Sequence, residues 1–326
     1  MGAKDVALAR YFGDEERYAD LLNVYVYQGR EVVKGTDVRE RDASVAGKGK
    51  KGNFRKCRDL VRKVVMGTDV VLVGLENQDE VHYAMPIRVM LEDAAGYDQQ
   101  LRSIQRKHRS QKDLRGAEYI GRFARTDRVS PVVTIVLYYG KTPWDGPTHL
   151  RELLDQKGQT EELNALVNDY KIHVLEVCSF EEAWRFKTDL REVFGFIRRA
   201  GDKDAQREFT RKNEQAFRLI EEDAYDVIAA LTNSRELEQV KEQYRSEGGR
   251  INMCEAIKGM IEDGRLEGVR EGRREGHREG RSKGRLEKAQ TAARNMYLRG
   301  MSCEEAAAIC EEDPQLVKTW YAQWEN

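Results

Sequence analysis

Apolar residues over the first 25 positions recur at helical intervals: Val6, Leu8, Ala9, Tyr11, Phe12, Tyr18, Leu21 and Leu22. That spacing predicts a helix or a helical pair over 5–25. Val24-Tyr25-Val26-Tyr27 and Glu31-Val32-Val33 flank Gln28-Gly29-Arg30, which predicts a short strand pair or an extended turn. Residues 38–56 are polar and basic, with Gly47-Lys48-Gly49-Lys50-Lys51-Gly52 among them, and read as a mobile loop. Val61–Val65 and Val70–Leu75 are short and β-branched, so strands suit them better than helices. Met66-Gly67-Thr68-Asp69 is the turn between them. His82 to His108 then predicts a long helix, with Met85, Val89, Ala95 and Leu101 among its apolar positions and Pro86 in its first turn. Pro131–Tyr139 and Ile172–Cys178 read as strands, and Phe180–Ala200 as a helix. This order predicts an α/β fold over residues 1–200, a mixed sheet flanked by helices.

Beyond residue 200 the pattern becomes helical and highly charged. In 201–250, Phe217, Ile220, Tyr225, Ile228 and Leu231 form the apolar stripe. In 251–290, Gly264, Gly268, Gly272, Gly276, Gly280 and Gly284 recur every fourth residue within Arg/Glu sequence. On a helix this makes a slowly drifting glycine column. Each glycine costs about 1 kcal/mol against alanine, so pairing of two such helices along the column is one reading. A solvated linker is the other. The segment is not apolar, which excludes a membrane GxxxG motif. Residues 291–326 predict three short helices, broken at Gly300-Met301-Ser302 and Glu312-Asp313-Pro314, with Ser302 and Glu305 as a capping box. The last helix carries only Lys318 as a base, which favours a capping mini-bundle over a DNA-recognition helix.

Composition narrows the class. Charged residues make up 35% of 326 residues and hydrophobic residues 40%, with a formal net charge of −1. No run approaches the roughly 20 apolar residues of a membrane span, and Met1–Ala9 holds no apolar signal region, so a cytoplasmic protein is expected. Cys57, Cys178, Cys254, Cys303 and Cys310 are scattered with no Cys-x-x-Cys pair, which reads as reduced thiols.

The candidate chemistry lies in Arg58-Asp59-Leu60 and in Val70-Val71-Leu72-Val73-Gly74-Leu75-Glu76-Asn77-Gln78. A hairpin would bring Asp59 and Glu76 side by side. Two carboxylates at strand ends make a hard oxygen site suited to Mg²⁺, and such an ion activates water on a phosphodiester. The plainer alternative pairs Glu76 with Arg62 or Arg88. Arg102, Arg106 and Lys107, and likewise Lys50 and Lys51, suit a DNA backbone or a solvated surface equally.

Asp59, then Leu72 to Gln78, Met85-Pro86-Ile87-Arg88, Pro131 to Gly140 and Trp144-Asp145-Gly146-Pro147, in that order, resemble the PD-(D/E)XK nuclease family transposases, the recombination-promoting nucleases. The resemblance covers about residues 5–200. It implies a restriction-endonuclease-like core, with the helical remainder as a C-terminal extension, and Mg²⁺- or Mn²⁺-dependent DNA cleavage leaving a 5′-phosphate. Asp59 matches the family's first metal-binding acid and Glu76 the acid of its second motif. The Asn77 backbone carbonyl joins the metal set, and Asp20 is a further candidate from the first helices. Gln78 stands where the wider superfamily keeps Lys, and Arg58 replaces the proline before the first acid. Arg88, early in the following helix, is expected to face a phosphate. The expected partners are DNA and a second copy of the chain through the glycine helix. The alternative is a catalytically inactive DNA-binding or oligomerising module of the same fold.

Overall fold

The computed structural model describes residues 2–40, 60–67, 69–155, 157, 160–246 and 248–324. Two helices open the chain, α1 (Ala3–Tyr11) and α2 (Glu15–Tyr25), the helical pair expected from the apolar spacing. Asp14 caps α2 by accepting a hydrogen bond from the Arg17 amide. Of the two readings of 24–33, the strand pair does not form and the turn does, at 26–29. Val24 and Tyr25 finish α2, because its apolar face, with Tyr18, Leu21 and Leu22, is buried. The return segment is latched instead by one side chain. Asn23 accepts from the Val32 and Val33 amides at 3.0 and 2.8 Å and donates to the Val33 carbonyl at 2.7 Å.

The sheet has five strands in the order β1 (Val38–Glu40), β2 (Leu60–Met66), β3 (Asp69–Gln78), β4 (Val132–Tyr138) and β5 (His173–Glu176). The first three pair antiparallel and β3, β4 and β5 pair parallel, so the sheet is mixed. Between β2 and β3 the turn passes through Gly67, whose φ of +61° glycine accepts without strain. Parallel pairing requires a crossover, and α3 (Met85–Gln111) supplies it, with Pro86 in its first turn. Residues 38–40, placed in the loop by sequence, are strand β1. The remainder of that loop, 41–56 with Lys50 and Lys51, lies outside the described residues, as do 57–59 with Cys57 and Asp59.

Alternation along the parallel strands defines two faces. Leu75, Ile135, Leu137 and Leu175 on one face are 1% exposed or less. On the other, Val136 and Val174 pack with Met85 and Val89 of α3 and with Ile172, Trp144 and Tyr170. The helix expected over 180–200 is split into a 3₁₀ turn at Glu181–Arg185 and α6 (Leu190–Arg198). Asp20 explains the break. Its Oδ2 accepts from the Lys187 amide, the Thr188 amide and the Thr188 hydroxyl at 2.8, 2.8 and 2.7 Å, which fixes a non-helical link before α6.

Helices α4 (Gly116–Gly121), α5 (Glu161–Leu166), α7 (Lys203–Lys212), α8 (Glu214–Phe217), α9 (Glu222–Thr232) and α10 (Arg235–Val240) complete the first of two compact units, residues 1–257. The stripe read from 201–250 is core: Phe217, Ile220, Tyr225, Ile228 and Leu231 are all buried. These helices belong with the sheet because α9 packs on α1 and α6. Arg17 ties them electrostatically, bonding Asp189 at 2.7 and 2.8 Å and Asp223 at 2.6 Å.

The second unit, 258–326, holds most of α11 (Met253–Tyr297), then α12 (Cys303–Cys310) and α13 (Pro314–Trp324). Its core joins Ala289 and Ala293 of α11 to Ala306, Ala307, Val317, Trp320 and Tyr321. The Ser302–Glu305 capping box forms as the sequence predicts. Met253 and Ala256, at the start of α11, are buried in the first unit. A chain ending at residue 259 therefore retains every element of that unit. It is expected to keep a cooperative thermal transition, followed by circular dichroism. Loss of that transition would show that 260–326 is needed for folding.

Candidate functional site

Glu76 is completely buried, although it lies near the carboxyl end of a strand. A carboxylate taken out of water needs compensating donors. Arg88 and Gln78 supply them. Arg88, one turn into α3, forms an ion pair with Glu76 Oε1. Gln78, two residues on and therefore on the same strand face, donates Nε2 to Glu76 Oε1 at 3.3 Å. Arg88 also reaches Glu92 through Nε at 3.3 Å, the i,i+4 neighbour on α3. The guanidinium thus spans two buried carboxylates, and it points inward rather than toward a phosphate from solvent.

Deeper along the same helix, Asp93 accepts from the Thr134 hydroxyl at 2.7 Å and from the Tyr170 hydroxyl. Sequence reading missed Glu92, Asp93, Thr134 and Tyr170. Only the Arg88-x-x-x-Glu92 spacing was available to signal them.

Asn77 points to the opposite face. Its side chain lines a cavity with Lys4, Asp79, Tyr139, Asn233 and Arg235, which brings the start of α1 and the α9–α10 corner to that face. Lys4 pairs there with Asp79 at 3.0 Å. Asp20, 7% exposed, is engaged by the three donors of the 187–188 link. Arg102 and Arg106 lie one turn apart on the exposed side of α3. Arg102 bonds Asp98 at 2.8 Å, and Arg106 donates to the Arg102 carbonyl at 3.2 Å. Lys107 is exposed beside them.

Among the described residues no three His, Cys, Asp or Glu side chains gather closely enough to hold a metal ion. The Arg88 guanidinium and the Gln78 amide NH2 that face Glu76 are hydrogen-bond donors and not metal ligands. The oxygens of Glu76 and Gln78 themselves are of the hard kind that Mg²⁺ or Mn²⁺ takes. Asp59, the second expected carboxylate, immediately precedes Leu60. Leu60 is the Cα partner of Leu75, the neighbour of Glu76.

The far end of α3 is pinned by His108. Its Nδ1 lies 2.8 Å from Asp113 and its Nε2 2.8 Å from Asp127. Both ring nitrogens facing carboxylates makes the imidazolium the form that satisfies them. The Asp113 hydrogen bond and then the Asp127 bond raise the His108 pKa above its ordinary value near 6.5. Asp113 is held low chiefly by His108, and Asp127 chiefly by the Ala124 amide. A raised folded-state histidine contributes its full stability below about pH 6.5, where the unfolded ring is also protonated, and loses it as pH rises through the folded value. We expect the His108 ring to titrate above 6.5 by NMR. Amide protection over 112–127, corrected for intrinsic exchange, should fall across that titration and lose this dependence in His108→Gln. A ring midpoint at or below 6.5 would refute the clamp.

No family model matches the chain, and no curated protein and no solved structure matches it.

Proposed function

We propose that the chain is a metal-dependent DNA endonuclease, transposase-related, on a restriction-endonuclease-like core. The observation that carries this reading is Glu76. A fully buried carboxylate stands near the carboxyl end of the central strand, with Gln78 bonded to it and Asp59 next in sequence to the residue paired with its neighbour. The mixed sheet with a helical crossover after β3 supports the same core.

In this reading Glu76, Asp59 and the Asn77 carbonyl hold Mg²⁺ or Mn²⁺. When bound, the ion polarises the phosphodiester and makes its bound water acidic. The chain's own groups do the rest. Gln78 keeps Glu76 oriented through Nε2, and its carboxamide oxygen orients the attacking water by accepting a hydrogen bond from it. Arg88, held between Glu76 and Glu92, fixes the carboxylate and supplies positive charge beside it. Arg102, Arg106 and Lys107, with Lys50 and Lys51 outside the described residues, serve the DNA backbone.

Incubation of supercoiled plasmid with the full chain tests the proposal. Nicked or linear product is expected with Mg²⁺ or Mn²⁺ and none in EDTA. Cleavage that is indifferent to EDTA would overturn it. The Arg88–Glu76 ion pair favours one second reading, an inactive DNA-binding or oligomerising module. That reading expects retention of plasmid without cleavage under either metal.

The same proposal includes a homodimer through 260–290. A Cβ added at any of the six repeat glycines would meet nothing within 4 Å, so the column stands open on α11. Light scattering on the full chain and on residues 1–259 decides it. A dimer that becomes a monomer is expected, and a full chain that stays monomeric at high micromolar concentration removes the dimer.

A further inference from the structure

The four-residue period that spaces the glycines also aligns the arginines. At about 100° per residue, each four-residue step advances a column by about 40°. Arg270, Arg274 and Arg278 form one column, and Arg273, His277 and Arg281 form a second about 90° away at the same height. The two run as neighbours along roughly 16 Å of α11. Their side chains line one continuous groove, and all six residues are exposed.

The intervening acids make a column of their own, Glu271, Glu275 and Glu279, which borders the first arginine column on its other side, about 90° away, and stands opposite the second. Only Arg278 approaches one of them, with Glu275 at 3.8 Å. Arg270, Arg273, Arg274 and Arg281 have no carboxylate within ion-pair distance among the described residues. Four uncompensated guanidiniums on one helix face repel one another, and i,i+4 like charges weaken a helix. The glycines already weaken it.

We propose that this double column is a binding face for the phosphate backbone of duplex nucleic acid. Arginine forks match phosphate oxygens bidentately, and successive guanidiniums along one helix face suit a linear row of anions. A second copy of the chain fits the face less well. A copy laid against this face would set guanidiniums against guanidiniums, whereas the glycine column proposed for self-pairing stands on the opposite side of the helix from Arg270, Arg274 and Arg278. A polyanion neutralises the whole face and releases its counterions on doing so. The face lies within the second unit, and its role does not depend on Glu76 being catalytic.

The test is fluorescence anisotropy of a labelled 20-base-pair duplex with the full chain in EDTA, over a salt series. The glutamine variant carries R270Q, R273Q, R274Q, R278Q and R281Q, all exposed positions where glutamine preserves helix propensity. Its log K against log salt slope should be shallower by roughly 0.9 for each guanidinium engaged, hence by about 3 to 4.5. Affinity at low salt should fall at least about 100-fold. The corresponding five-lysine variant keeps the charge and should retain most of the binding. Circular dichroism confirms that both variants stay helical. Equal slope and affinity in wild type and glutamine variant would overturn the proposal. So would equal competition by poly-glutamate, which would make the face a site for acidic protein. Because no metal is present, failure here leaves the cleavage proposal standing, and failure of cleavage leaves this one standing.

Discussion

Glu76→Ala and Asp59→Ala are each expected to reduce metal-dependent plasmid cleavage to background. The effect follows from donor number. Mg²⁺ keeps most of its waters and is held by one or two carboxylates, so removing either acid removes half of the anionic anchorage. Glu76→Ala has a second consequence. It takes one carboxylate from Arg88, which is 22% exposed at its side chain, and leaves Glu92 as the remaining carboxylate partner seen there. Some stability loss is therefore expected at Glu76, and the milder Glu76→Gln separates it from catalysis by keeping shape and hydrogen bonding. Gln78→Lys should retain or raise cleavage, because it adds positive charge where the phosphodiester accumulates negative charge. Cleavage surviving in both alanine variants would assign the activity to another site or another protein.

Arg17→Ala is expected to cost about 3–5 kcal/mol of folding stability, the usual loss when one partner of a buried ion pair is removed. Arg17 is 9% exposed at its side chain and serves two carboxylates, Asp189 and Asp223, while stacking on the Tyr11 ring at 4.3 Å. Burial already pushes the Asp189 carboxyl up despite that guanidinium. Without Arg17 the Asp189 carboxyl, already pushed up by burial, favours its neutral form further, so the deficit should narrow as pH falls from 7 toward 5. Arg17→Lys keeps the charge but loses the fork that bonds Asp189 twice, and an intermediate loss is expected. Urea midpoints read by circular dichroism measure all three. A loss below about 1 kcal/mol for Arg17→Ala would mean that the two acids find solvent on their own.

Strands β2 to β5 and helices α1 to α3 were legible because their apolar periods are strong and local. Two misreadings have separate causes: Val24-Tyr25 finish α2 because that helix's apolar face is buried, and the 180–200 helix is broken by Asp20, 167 residues from Lys187 in sequence. Local periodicity carries no record of such a latch. The site divides the same way. Glu76 and Gln78 share a face because strands alternate, which sequence predicts. Pairing of Glu76 with Arg88 is one of the two the sequence offers; that it is Arg88 and not Arg62, which bonds Glu40, depends on the angle at which α3 leaves the sheet, which sequence does not give.

Strand β3 joins two kinds of pairing, and this orders the assembly of the molecule in time. Its hairpin with β2 closes through a two-residue turn, an event on the scale of microseconds. Its pairing with β4 must wait for the chain between Gln78 and Val132 to be gathered in, and long-range parallel pairing is slow. Among the described residues the β2 register ends at Leu60–Leu75, whereas Glu76, Asn77 and Gln78 are matched to Val136, Leu137 and Tyr138 of β4. Burial of the carboxylate on the β4 side thus waits for the crossover. Substitutions along Val132–Tyr138 should slow its burial, while substitutions around Gly67 act on the earlier step.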